Sequence, residues 1–227
     1  MAVDSLGNPN QRTLCALVLD ASGSMNSGLG IGGTRIDQLN RGIATLINEL
    51  KEDPVASDRV VLSMVIVGGP SGGAKLLLDW TDVYDLEPFP IKADGTTPLG
   101  EGVLIALDLI ENGKKQLKAD GIGYLRPWMI VITDGEPTDD ANTWAQASSA
   151  VRAAETSNKC LVFPIAVDGA NHSKLAEMTT ANIKQMSSVK FKELFQWLSA
   201  SLSAVSSSAP GATVKLPSTD PWAGVKI

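Results

Sequence analysis

The chain has 227 residues and is 44% hydrophobic, enough to bury a sizeable core as one α/β domain with extensions. A formal net charge of −6, with a pI of about 4.8, excludes a broadly basic nucleic-acid footprint. The polar first twelve residues show no secretory pattern, and apolar runs such as Val60–Val67 are too short to span a bilayer. Cys15 and Cys160 lie far apart in apolar runs, so they read as buried small hydrophobes rather than as a disulfide or zinc ligands. The expectation is a soluble cytoplasmic protein whose natural complement is a cation or a basic patch.

In chain order, Leu14–Leu19 is a continuous apolar run ending at Asp20, the pattern of a strand buried on both faces. The Gly-rich connection Asn26–Gly33 follows. Ile36, Leu39, Ile43, Leu46, Ile47 and Leu50 then share one helical face, with Thr34 and Asp37 as a capping box and Pro54 as the stop. Val60–Val67 is a second buried strand. The turn Gly68–Gly73 leads back into Lys75–Trp80, an antiparallel edge strand. Residues 81–96 read as loop. Leu99, Val103, Ala106, Leu107 and Ile110 give the next helical face.

Trp128–Thr133 is a fourth strand that stops at Asp134-Gly135. Thr143–Ser157 is an Ala-rich helix and Leu161–Val167 a fifth strand, although Pro164 cannot donate within a ladder. His172–Met178 reads as a short helix and Ile183–Ser187 as a short last strand. Phe191, Leu194, Phe195, Leu198 and Leu202 mark a final amphipathic helix. The division is an N-terminal extension over 1–12, a domain over 13–206 and an extended tail over 207–227. The alternation predicts a Rossmann-like, doubly wound, mostly parallel six-stranded sheet with one antiparallel edge and helices on both faces. Ligands of such sheets sit beyond the carboxyl ends of the strands where the strand order reverses, here after the first and fourth strands.

Asp20-x-Ser22-x-Ser24 follows the first strand, Thr97-Pro98 precedes the second long helix, and Asp134-Gly135 follows the fourth strand. All offer oxygen. A hard cation such as Mg²⁺ takes about six oxygens near 2.1 Å, and two carboxylates with three hydroxyls suit it. Neutral hydroxyl ligands leave the ion electrophilic and open to a carboxylate from another molecule. Singly, each piece has a structural reading: a turn after a strand, an N-cap followed by proline, a turn dipeptide. Those readings do not explain why all three fall at the predicted strand ends.

Asp20-Ala21-Ser22-Gly23-Ser24-Met25, Thr97 and Thr133-Asp134-Gly135 resemble the metal-ion-dependent adhesion site of the von Willebrand factor type A family, over roughly residues 12–205. The resemblance implies Mg²⁺, with Mn²⁺ or Ca²⁺ as substitutes, held by Ser22 and Ser24. It further implies that Asp20 and Asp134 bind directly or through water, and that Thr97 joins when ligand arrives. The runs Thr133–Asp140 and Gly95–Glu101 are similar to those of TerY-type proteins of bacterial tellurium resistance and stress response. That group is often paired with a protein kinase and a PP2C-like phosphatase, which implies an adaptor. The tail with Leu216-Pro217 and Pro221-Trp222-Ala223 resembles that group too, whereas the Gly-rich connection Asn26–Gly33 is longer than expected.

The expected function is therefore Mg²⁺-dependent capture of a partner's Asp or Glu, without catalysis. The alternative is a metal-dependent phosphatase or hydrolase using Asp20 and Asp134, but no general base or nucleophile stands beside them. Gly28-x-Gly30-x-x-Gly33 lacks the tight strand–turn–helix setting of a dinucleotide site, and Gly68–Lys75 lacks the Gly-Lys-Ser/Thr ending of a P-loop. His172 has no nucleophile to serve. Glu136, Asp139 and Asp140 read as a solvated loop in preference to a second ligand shell, and Trp80, Trp128, Trp144 and Trp197 as core or half-buried residues. Trp222 either docks on the domain or meets a partner.

Overall fold

The computed structural model describes residues 10–29, 33–186, 190–209 and 211–220. Six strands, β1 (Thr13–Ala21), β2 (Val60–Gly68), β3 (Ala74–Asp82), β4 (Trp128–Thr133), β5 (Leu161–Ala166) and β6 (Lys184–Gln185), form one sheet in the order β3-β2-β1-β4-β5-β6. Only β3 runs antiparallel to its neighbour. The helices are α1 (Arg35–Glu52), α2 (Pro54–Arg59), α3 (Leu99–Ala119), α4 (Ala141–Thr156), α5 (His172–Met178) and α6 (Phe191–Ser206).

The continuous apolar strands are explained by the two layers they separate. On β1, Cys15, Leu17, Leu19 and Ala21 pack with α1, α2 and α6, while Leu14, Ala16 and Val18 pack with α3, α4 and α5. Successive side chains leave a strand on opposite faces, so a strand covered on both sides must be apolar throughout. Trp80, Trp128, Trp144 and Trp197 are all buried within these layers. Both cysteines are free and buried. Burial pushes both thiols up, Cys160 to about 12.

The Thr34–Asp37 capping box forms as expected. Pro54 does more than end α1: it occupies the first turn of α2, whose N-terminus is capped by the Asp53 carboxylate accepting from Val55 N and Ala56 N at 2.9 and 3.0 Å. Pro164 is accommodated by the parity of the ladder. Leu161 N and Val167 N donate toward the β4 side, to Pro127 O and Thr133 O, so odd-numbered residues of β5 face β4. The Pro164 nitrogen faces the other way, where β6 pairs only with Ile165 and Ala166. The last strand is shorter than the expected Ile183–Ser187, and Ser187 lies outside the described residues. Part of the Asn26–Gly33 connection, and Trp222, also lie outside them.

Candidate metal centre

The strand order reverses between β1 and β4, and the carboxyl ends of these two strands carry Asp20 and Asp134. Asp20 lies inside β1 and is fully buried, while Ser22 immediately follows the strand. The chain then tightens into a 3₁₀ turn, Gly23–Asn26, pinned by the buried Met25. That turn lifts Ser24 to the surface, so the site is buried at its carboxylate floor and open at Ser24.

Asp20 Oδ1 accepts from Ser22 N at 2.9 Å and Asp20 Oδ2 from Thr133 Oγ1 at 2.6 Å. Burial raises the Asp20 pKa; the bonds from Ser22 and Thr133 oppose that shift, and Asp134 adds to it. Ser24 Oγ donates to Asp134 Oδ1 at 2.6 Å, and the hydroxyls of Ser22 and Ser24 are 2.9 Å apart. Four of the five residues singled out from the sequence are thereby joined in one continuous network. Thr97 reaches the same place by a different route. A Cβ on Gly135 would meet Thr97 Oγ1 at 3.0 Å and Asp20 Oδ2 at 3.6 Å, so the absent side chain leaves a cradle between them.

Thr97 is not the helix cap. The residue before α3 is Pro98, which makes no side-chain cap bond. The cap comes from outside the helix: Asp139 accepts from Gly100 N at 2.8 Å and Glu101 N at 2.9 Å. Asp140 likewise caps α4, accepting from Asn142 N and Thr143 N at 2.8 and 3.1 Å; the Thr143 hydroxyl, donating at 2.7 Å, and then these N–H groups lower its pKa. Glu136 accepts from Asn171. The acidic run after β4 is solvent-exposed at Glu136 and Asp140, as its reading as a solvated loop expects, and each of its carboxylates also accepts hydrogen bonds from the fold. Thr138 completes the clamp, because its N donates to Thr97 O at 2.9 Å and its Oγ1 accepts from Thr97 N at 3.1 Å. The loop leaving β4 therefore holds the Thr97 segment against Asp134.

The third loop is fixed by backbone contacts. Gly23 N donates to Gly95 O at 3.0 Å, and Asp94 N and Gly69 N both donate to Ala21 O. Gly68, with φ of +84°, makes this approach feasible; a Cβ there would lie 2.6 Å from Thr96 O and 2.9 Å from Ser22 Cα.

One contact was not foreseen. Arg35, the first residue of α1, donates from Nη1 to Asp134 Oδ2 at 2.6 Å, an ion pair whose Asp134 side chain is fully buried. A cation at a helix N-terminus opposes the helix macrodipole, and that local conflict was the available sequence signal.

The donor set suits a hard cation. Adjacent ligands of an octahedral ion at about 2.1 Å stand about 3.0 Å apart, and the two serine hydroxyls are already at 2.9 Å. Among the described residues, no group of three or more His, Cys, Asp or Glu is set to hold a metal ion. A cation here would rely on hydroxyls as much as on carboxylates.

The doubly wound sheet, with an oxygen-donor cluster at its switch point, makes this an α/β domain of the open-sheet class, in which that crevice is where ligands bind. The von Willebrand factor type A domain model matches residues 16–197, most of the chain, and the protein belongs to that family. No curated protein sequence is significantly similar to it. Proximal thread matrix protein 1 from the mussel byssus is a structural neighbour at TM-score 0.57 and 16% identity, over 86% of this chain and 49% of that one. The von Willebrand factor type A protein from Catenulispora acidiphila aligns at TM-score 0.59 and 13% identity, over 86% of this chain and 43% of that one. The SpRpn10 VWA domain aligns at TM-score 0.51 and 14% identity, over 77% of this chain and 86% of that one. The chain spans about half the length of the first two, and the likeness is one of fold. No helix among the described residues is long and apolar enough to cross a membrane.

Proposed function

We propose that the protein is a Mg²⁺-dependent interaction module that captures an Asp or Glu side chain of a protein partner. The observation that carries this reading is the Ser22–Ser24 hydroxyl pair, spaced at 2.9 Å as adjacent ligands and backed by two buried carboxylates. Ser22 and Ser24 would hold the ion, with Asp20, Asp134 and Thr97 around it. When bound, the ion supplies an electrophilic position for a carboxylate oxygen. The protein's own part is to orient: Thr133 and Ser22 fix Asp20, and Thr138 fixes Thr97. Binding rather than hydrolysis is favoured because the side chains bonded to Asp20 and Asp134 are those of Thr133, Ser24 and Arg35, which offer no general base to activate a nucleophile.

The wider role we propose is that of a cytoplasmic adaptor in a TerY-like bacterial stress-response or tellurium-resistance system, working with a protein kinase and a PP2C-like phosphatase. The support is the motif pair Thr133–Asp140 and Gly95–Glu101, whose segments are clamped together through Thr138 and Asp139. The test is partner capture with Mg²⁺, with chelator, and with the Ser22→Ala/Ser24→Ala variant, thermal unfolding being followed in parallel because metal removal can change stability by itself. Partners lost in the last two conditions support the module; an identical partner set in all three rejects it. Hydrolysis of phosphate esters by the purified protein, lost in Asp20→Ala, would instead establish an enzyme.

A further inference from the structure

Arg35 stands outside the oxygen-donor set yet touches its floor. Its Nη1 donates to Asp134 Oδ2 at 2.6 Å, while Ser24 Oγ occupies Asp134 Oδ1. The Arg35 side chain is 19% exposed and the Asp134 side chain 0%, so the pair sits at the rim of a buried carboxylate. Arg35 Nε is buried and has no hydrogen-bond partner. The guanidinium is therefore tied into the site through Asp134 while another of its donors goes unused.

The placement runs against local preference. Arg35 is the first residue of α1, where the helix end is positive and an acid is favoured. Its backbone is held by Arg35 N donating to Ser27 O at 3.3 Å, which ties the start of α1 to the turn that follows Ser24. A local rule broken at a site marks a residue retained for its tertiary contact.

We propose that Arg35 is a built-in competitor of the divalent cation: it neutralises Asp134 in the metal-free protein and so sets the metal affinity of the site. This rests on the metal-site reading above. Two buried carboxylates need compensating charge. Arg35 alone leaves one negative charge over, and a divalent ion alone balances both. If Arg35 stays when the ion arrives, like charges repel across the site; if it withdraws, its charge-assisted bond to Asp134 is lost. Either route opposes the metal, so occupancy follows the free cation concentration instead of saturating early. Arg35 also keeps Asp134 oriented between loadings, which spares the site from collapsing onto two uncompensated carboxylates.

Isothermal titration of Mg²⁺ and Mn²⁺ into the wild type, Arg35→Gln and Arg35→Lys, with melting curves of each in chelator, tests this. Arg35→Gln is expected to bind Mg²⁺ on the order of tenfold more tightly, within the usual range for coupled sites. It should also melt lower than wild type in chelator and regain more on adding metal. Arg35→Lys keeps the charge and should stay within about threefold of wild type. Binding to Arg35→Gln that is equal to or weaker than wild type, in a cooperatively folding variant, overturns the competition while leaving the metal site standing. Absence of Mg²⁺ and Mn²⁺ binding in both proteins, with both folded, overturns the metal site and this inference together.

Discussion

Replacing Asp139 by alanine separates the role of the acidic loop as a clamp from any role as a ligand. Asp139 supplies both acceptors for the first free N–H groups of α3, at 2.8 and 2.9 Å, and Pro98 offers no substitute. Loss of an N-terminal cap costs about 0.5–2 kcal/mol. Removal of a negative charge from a helix N-terminus adds about 0.3–1 kcal/mol, so the expected loss is about 1–3 kcal/mol. For a domain of this size that corresponds to a fall in Tm of about 2–12 °C. Asp139→Asn keeps one acceptor oxygen but loses the charge and sets an amide NH2 against one of the two helix N–H groups, so its loss should approach that of alanine. Urea unfolding in chelator is the assay, because it excludes any metal contribution. A loss for alanine below about 0.5 kcal/mol, the range of ordinary surface changes, would refute the clamp.

Gly102→Ala sets propensity against packing. A Cβ at Gly102 would lie 2.3 Å from Val67 Cγ1, an overlap costing about 1–3 kcal/mol against a helix-propensity gain of about 1 kcal/mol; a net stabilisation in denaturant unfolding would show that α3 shifts freely on the sheet. Arg12 is fully buried, donating to Asp58 O at 2.5 Å and to the Asp82 carboxylate. Arg12→Ala should cost about 3 kcal/mol or more by leaving that acid unpaired, and a loss under 1 kcal/mol would contradict the pairing. Asp37, Asp53 and Asp140 have pKa values lowered by the N–H and hydroxyl groups they cap. Their stabilisation is present above the ordinary Asp range and is lost as pH falls through the lowered values, so Asp140→Asn should flatten the decline in Tm below about pH 4; an unchanged slope counts against the cap. Cys15 and Cys160 should resist alkylation by a maleimide at neutral pH until denaturant is added, and rapid labelling of the native protein would contradict their burial.

The sheet was legible because its physics is one-dimensional. A strand covered on both faces needs a largely apolar run, and β1, β2 and β4 each carry one with a polar residue or glycine near its carboxyl end; the one interruption in β2, Ser63, donates its hydroxyl to Leu78 O. The antiparallel edge was legible because only a short turn separates β2 from β3, too short for a crossover. Pro164 and Pro54 were harder, since a proline's effect depends on which way its missing N–H points. At Pro164 the ladder parity decides, and at Pro54 the Asp53 carboxylate turns a stop into a start. Neither partner is visible as a periodic signal.

The site divides along the same line. Asp20, Ser22 and Asp134 follow from strand ends and the switch-point rule, because topology alone brings β1 and β4 together. Thr97 lies beside Gly135, and its bonding partners are in the acidic loop rather than in α3. Thr138, Asp139 and Arg35 act on residues 41, 39 and 99 positions away, and no local pattern encodes such pairings. Their sequence traces are violations: a helix that begins after Thr-Pro without using the threonine, and a helix whose first residue carries the wrong charge. In both cases a distant carboxylate resolves the conflict. Residues that break a local rule near a predicted strand end are therefore the ones to suspect of shaping the site, and Arg35 is the clearest instance in this chain.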